Sequence, residues 1–170
     1  MLRRVNVENC RRLDGALALE SCPNINEINA RGTSITGVQL PQRGVLKTLL
    51  LPDTVTSLVL TNQTKLETFE LPSKTRTDAE GKIKEYYGLT KLVVDNVPQN
   101  VVNTKVLLEK SINTLESLYL TGINWSGDKE LDNYDLLFQI KAKYENGELV
   151  GDKVGDSSTL LRGTVTVKEG

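Results

Sequence analysis

The phrase apolar-x-x-apolar-x-apolar returns six times along the chain, and that repetition constrains the fold more than any single residue does. It reads Leu2-Val5-Val7, Ile25-Ile28-Ala30, Leu46-Leu49-Leu51, Leu66-Phe69-Leu71, Leu89-Leu92-Val94 and Leu115-Leu118-Leu120. Between the middle positions the steps are 23, 21, 20, 23 and 26 residues. A unit this short cannot bury its own apolar side, so such units must stack to make a continuous core. The last two apolar positions of each phrase flank one other residue, which is the period of a strand.

A second, shorter phrase falls about half a period from its neighbours: Leu17-Ala18-Leu19, Val38-Gln39-Leu40 and Leu58-Val59-Leu60. It is too short for a helix of about 12 residues, and its alternation again reads as a strand. Each early turn is therefore expected to hold two short strands, one on each side of a flattened right-handed coil. Strands of successive turns would lie parallel, about 4.8 Å apart, and satisfy each other's backbone groups. Turn-forming residues sit between the phrases, as "DG" at 14–15, "RGTS" at 31–34, "PQRG" at 41–44, "PDT" at 52–54 and "TNQT" at 61–64. This grammar and period are similar to those of a leucine-rich repeat. The expected fold class is mostly β, a leucine-rich-repeat-like solenoid with parallel strands on two sides.

Regularity decays after residue 72. The polar stretch 73–88 reads as an insertion or an extended return turn, and Val102, Val106 and Leu107 suggest a short helix within 97–113. Leu131, Tyr134, Leu137, Phe138 and Lys141 have helical spacing, closed by Asn146-Gly147, and "LLRGTVTV" ends the chain with a strand. Residues 1–125 are expected to form about six turns, and 126–170 a helix-plus-strand cap of the same domain.

Cys10 and Cys22 fall three residues past the last apolar position of a phrase, in a column continued by Thr33, Thr54, Gln63, Val97 and Ile123. Leucine-rich repeats carry Asn or Cys at this place, pointing inward at the bend. The two cysteines follow strands of opposite sides, too far apart for a disulfide, which needs α-carbons within about 7 Å. They are expected to be buried, reduced thiols.

The chain of 170 residues has no histidine, which removes the commonest general base and metal ligand. Two cysteines do not make a four-ligand zinc site. A net charge of −1 with dispersed Lys and Arg gives no footprint for nucleic acid. No apolar run approaches the roughly 18–20 residues of a membrane-spanning helix. "MLRRVNVENC" lacks the apolar stretch of a signal peptide, so secretion is not expected to be encoded within this chain; a larger parent protein, of which the chain is expected to be a segment, could supply it. The acceptor triplets "NQT" (62–64) and "NWS" (124–126) and the acidic groups near 128–135 and 145–156 are read as turn and cap rather than as glycan or calcium sites. Trp125 is expected to plug the open core of the last turn. No cofactor or metal is implied.

The positions between the inward residues of the first phrase are Asn6, Asn29, Leu50, Glu70, Val93 and Tyr119. Side chains alternate across a strand, so these are expected to form one outward row, a candidate interaction surface.

Residues 2–72 and 89–125 resemble a leucine-rich-repeat-like domain found in structural proteins of phages and prophages of gut bacteria. The motifs carrying the resemblance are VENCRRLDGALALESC, ARGTSI, LPDTVTSLVLTNQTKLETFEL and LYLTGINW, followed by LLFQIKAKYENG and LRGTVTV. Stretch 73–88 departs from the compact turn of that family. The resemblance implies a non-catalytic protein-interaction or structural module of a phage tail or virion-associated protein, contacting another virion protein or a host-surface glycan. It supplies no catalytic residues. The alternatives are a bacterial cell-surface or secreted leucine-rich-repeat adhesin and, ranked last, a carbohydrate-active enzyme. Localisation is expected to be virion-associated or extracellular.

Overall fold

A computed structural model of the chain describes residues 1–111, 114–123 and 165–169. Most of the regular secondary structure among the described residues is parallel strand, arranged in two sheets. The short sheet contains β1 (Arg4–Asn6), β3 (Glu27–Asn29), β5 (Thr48–Leu50) and β7 (Thr68–Glu70), in that order. The long sheet takes β2 (Asp14–Ala18), β4 (Ser34–Gln39) and β6 (Ser57–Thr61), then β10 (Lys91–Asp95), β11 (Ser117–Ile123) and β12 (Val165–Glu169). Up to β7 the chain alternates strictly between them, which is what two apolar phrases per repeat demand.

The inward residues of both sheets meet in one core. Ile28, Leu49, Leu58, Leu60, Leu92, Val94 and Leu118 are each no more than 3% exposed. Each turn also hands a backbone hydrogen bond to the next at the entrance to the short sheet. Asn26 N donates to Arg3 O (2.8 Å), Lys47 N to Asn26 O (2.9 Å) and Glu67 N to Lys47 O (2.8 Å). The apolar stack and the polar ladder thus share one register, so neither is satisfied at the other's expense.

The bends carry the column that includes the cysteines. Cys10 N donates to Val7 O and Cys22 N to Leu19 O, both at 3.0 Å, so the two bends close alike. Thr33 Oγ1 donates to Ala30 O at 2.8 Å, in the manner expected of a bend residue. Two corrections apply to the cysteines. Cys10 is exposed and Cys22 only half-buried, and neither is bonded to the other. Cys10 belongs to the first turn, with no earlier turn packed against it among the described residues. Thr33, one turn on, is buried.

After β7 the alternation breaks. Residues 74–86 form an antiparallel hairpin, β8 (Lys74–Thr77) and β9 (Ile83–Tyr86), which pairs with neither sheet. The phrases at 89–94 and 115–120 then enter the long sheet, where β10 pairs with β6 and with β11. This corrects the expectation that all six phrases share one side. The insertion contains no apolar-x-apolar phrase to occupy the long sheet beside β6, so the next phrase takes that place. The return limb after β10 is a helix, α1 (Thr104–Ser111), capped by Asn103, whose Oδ1 accepts from Val106 N at 3.2 Å. Lys110 at its other end ties it to the hairpin through Glu85, at 2.7 Å.

At the far edge of the long sheet, β12 pairs with β11 across a bulge between Leu120 and Ile123. The predicted helix at 131–141, Trp125, the 124–126 triplet and the acidic groups at 128–156 lie outside the described residues. Among the described residues no helix is long and apolar enough to cross a membrane.

Candidate functional site

The short sheet places Asn6, Asn29, Leu50 and Glu70 on one line of register. Its two asparagines face back onto their own strand ends. Asn6 Oδ1 accepts from Glu8 N (3.1 Å) and Asn29 Oδ1 from Arg31 N (3.3 Å). Asn29 Nδ2 also donates to Glu8 Oε2 at 3.2 Å, one turn away. Arg31 reaches farther. Its Nε and Nη2 donate to the two carboxylate oxygens of Glu70 at 3.1 and 2.7 Å, which spans the intervening β5 strand that carries Leu50. That bidentate hydrogen bond is the chief reason the Arg31 pKa stands above its ordinary value. Arg4–Glu27 and Lys47–Glu67, both at 3.2 Å, make similar links between adjacent turns. Exposed ion pairs stabilise little individually. Here they leave the face tied to itself, with its charges already answered.

Val93 and Tyr119, the other two members of the expected row, lie on the opposite sheet. There Val93 is in register with Val59 on one side and Tyr119 on the other. All three are half-buried, beside the almost fully buried inward residues Leu58, Leu60, Leu92, Val94 and Leu118. Val59 stands outside the expected row because it belongs to the shorter phrase, whose middle residue faces outward in the same way. The signal was present, since Val59 is the middle residue of Leu58-Val59-Leu60. A parallel line holds Gly37, Ser57, Lys91 and Ser117.

A groove opens on this face. β4 and β6 pair at a single register, Gly37 with Ser57, whereas β6 and β10 pair at five. The β2–β4 ladder shifts between Gly15 and Ala16, yet β4 stays paired with β2 at five positions, so the opening falls only on its β6 side. Beyond Gly37 the two strands part and leave a cavity of about 610 Å³, walled by the chain from Val38 to Gln42 and from Val59 to Gln63. Gln63 holds the walls. It is 1% exposed, and its Nε2 donates to Pro41 O and to Thr61 O, both at 2.9 Å. Its Oε1 has no hydrogen-bond partner among the described residues and lies against Gly44, where a Cβ would come within 2.5 Å of it. Gly44 is required there by close approach.

A second hollow of about 290 Å³ lies between β7 and α1, lined by Phe69, Leu71, Tyr87 and Val106 among others.

At Asn62, the first acceptor triplet forms a left-handed turn (φ 55°), and its Oδ1 accepts from Asn96 Nδ2 at 2.9 Å. The side chain is thus used within the fold.

Among the described residues no group of three or more His, Cys, Asp or Glu is placed to hold a metal ion. The carboxylates Glu8, Glu27, Glu67, Glu70 and Glu85 are each hydrogen-bonded or ion-paired with an amide, arginine or lysine side chain. Compared with known proteins, the chain matches no family model, no curated protein and no solved structure.

Proposed function

We propose that this chain is a non-catalytic interaction and structural module, a right-handed leucine-rich-repeat-like solenoid within a phage tail or other virion-associated protein. Its long sheet meets a neighbouring virion protein or a host-surface molecule. The solenoid reading is supported by strands that alternate between two parallel sheets through β7, by the backbone bond passed from turn to turn, and by the resemblance carried in the motifs at 7–22 and 118–125.

One observation carries the interaction reading. Val59, Val93 and Tyr119 line up in register on the outer face of the long sheet, where solvent alone favours charged side chains. Aromatic and aliphatic groups on a stiff sheet suit binding, because little conformational freedom is lost when a partner covers them. The short sheet lacks such a row. Its outward charges are paired and its outward asparagines are turned to the backbone.

The test uses the full chain, fluorescently labelled, on intact cells of gut bacteria and on tail particles lacking the module. Val93→Asp with Tyr119→Ala should weaken binding by about tenfold or more and leave thermal unfolding nearly unchanged. Unaltered binding by the folded double variant would overturn the reading.

A further inference from the structure

We infer that the groove where β4 and β6 part is a carbohydrate site, and that the sugar it takes carries one anionic group, with Lys91 as its cation. This rests on the reading of the chain as a surface-binding module.

The lining is unusual in its balance. Gln39, Gln42 and Asn62 contribute amides, and Ser57 and Thr61 contribute hydroxyls. Both kinds of group donate as well as accept, which is what a ring of sugar hydroxyls requires of its surroundings. Val59 and Pro41 add apolar surface against which the C–H side of a sugar ring can rest. The volume, about 610 Å³, lies inside the range of about 300–1,000 Å³ usual for small-ligand sites. The clamp through Gln63 forms this space in advance, so binding need not order the walls.

Charge then selects within the sugars. Among the described residues no carboxylate lines the groove, and Lys91 is the single charged residue that does. Lys91 has no ion-pair partner among the described residues, unlike Arg4, Arg31 and Lys47 of the short sheet. It stands in register with Ser57, which on its other side is in register with Gly37, where a Cβ would come within 3.2 Å of Ser57 O. An anion placed over that floor meets one ammonium group and no repelling charge from the groove. A neutral sugar would leave the ammonium unanswered. Carboxylated and sulfated sugars share this chemistry.

The experiment is an amide NMR titration of the full chain with glucuronate, N-acetylneuraminate, galactose 6-sulfate and plain galactose. The acidic sugars should shift the amides of Gly37, Gln39, Ser57 and Asn62, with galactose binding at least about tenfold more weakly. The uronate and sialate arms against the sulfate arm tell which anion is preferred. Lys91→Gln should lower the affinity for the preferred acidic sugar about tenfold and remove its salt dependence. Because Lys91 is exposed, the variant keeps the fold, and the unchanged shifts of the core amides check this. Absence of groove shifts with every sugar, equal binding of galactose, or indifference to Lys91→Gln would each overturn the inference. If the sugars fail while Val93→Asp still weakens binding to cells or particles, only the carbohydrate assignment falls. If both fail, the surface reading falls with it.

Discussion

The two sheets are built from the same apolar grammar and share one core, yet their outer faces have opposite characters. On the short sheet Arg4, Arg31 and Lys47 each meet a glutamate of another turn. On the long sheet the outward groups are mostly uncharged, the ladder opens between β4 and β6, and Lys91 has no such partner among the described residues. A repeat therefore dictates its inward residues and leaves its outward ones free to differ. One wall can be tied to itself while the other stays available.

The largest test of this comparison is whether one core stands behind both faces. Leu49→Ala on the short sheet and Leu118→Ala on the long one, each at 1% exposure, should both destabilise by about 2–5 kcal/mol in urea unfolding, in one transition. Two separated transitions would mean that the sheets fold independently. Next in size is Gln63→Ala. It deletes one buried and one part-buried hydrogen bond to carbonyls and should cost about 1–3 kcal/mol, read from the shift of the unfolding midpoint. Arg31→Ala on the opposite face should cost visibly less, since its pairing remains half open to solvent, which screens it. A reversal of that order would mean that the surface pairs, and not the clamp, hold the outer faces in shape.

A smaller effect sets the insertion against the repeats. The hydrogen bond from Lys110 holds the Glu85 carboxylate below its ordinary pKa. The folded state then binds fewer protons than the unfolded one between the two values. The contribution is complete above the ordinary glutamate pKa and is lost as pH falls through the depressed folded value. Glu85→Gln should lower the unfolding midpoint at neutral pH, and the difference from the parent should shrink on acidification and vanish once the pH is below the depressed Glu85 value. Asp78, held low mainly by the backbone amide of Lys82, titrates alike in both proteins. A difference that persists in acid would assign the loss to packing. Smallest of all, Cys10→Ser should change stability by less than about 0.5 kcal/mol, as exposed substitutions do. Cys22→Ser, half-buried against the core, should cost more.

The inward pattern was legible in the sequence because burial follows local spacing. Ile28, Leu49, Leu92 and Leu118 all take the core positions that the phrase assigns to them. The register of Asn6, Asn29, Leu50 and Glu70 was legible for the same reason, and so was a short helix within 97–113. What the sequence did not carry is which wall a phrase joins. Leu89-Leu92-Val94 satisfies either side, and the choice fell to the hairpin at 74–86, which removed a competing strand. The groove was equally hidden, since it arises from a pairing that stops after Gly37 and Ser57. Exposure of Cys10 depends on what precedes the first turn in space, which its own residues do not encode.

The changeover after β7 means that the molecule has no single repeat number. Counted over the described residues, one wall has four strands and the other six. Duplicating a strand-and-helix stretch such as 91–111 would lengthen the second count and leave the first as it is. The lengths of the two faces can thus diverge, so the long sheet can be extended without rebuilding the self-tied one.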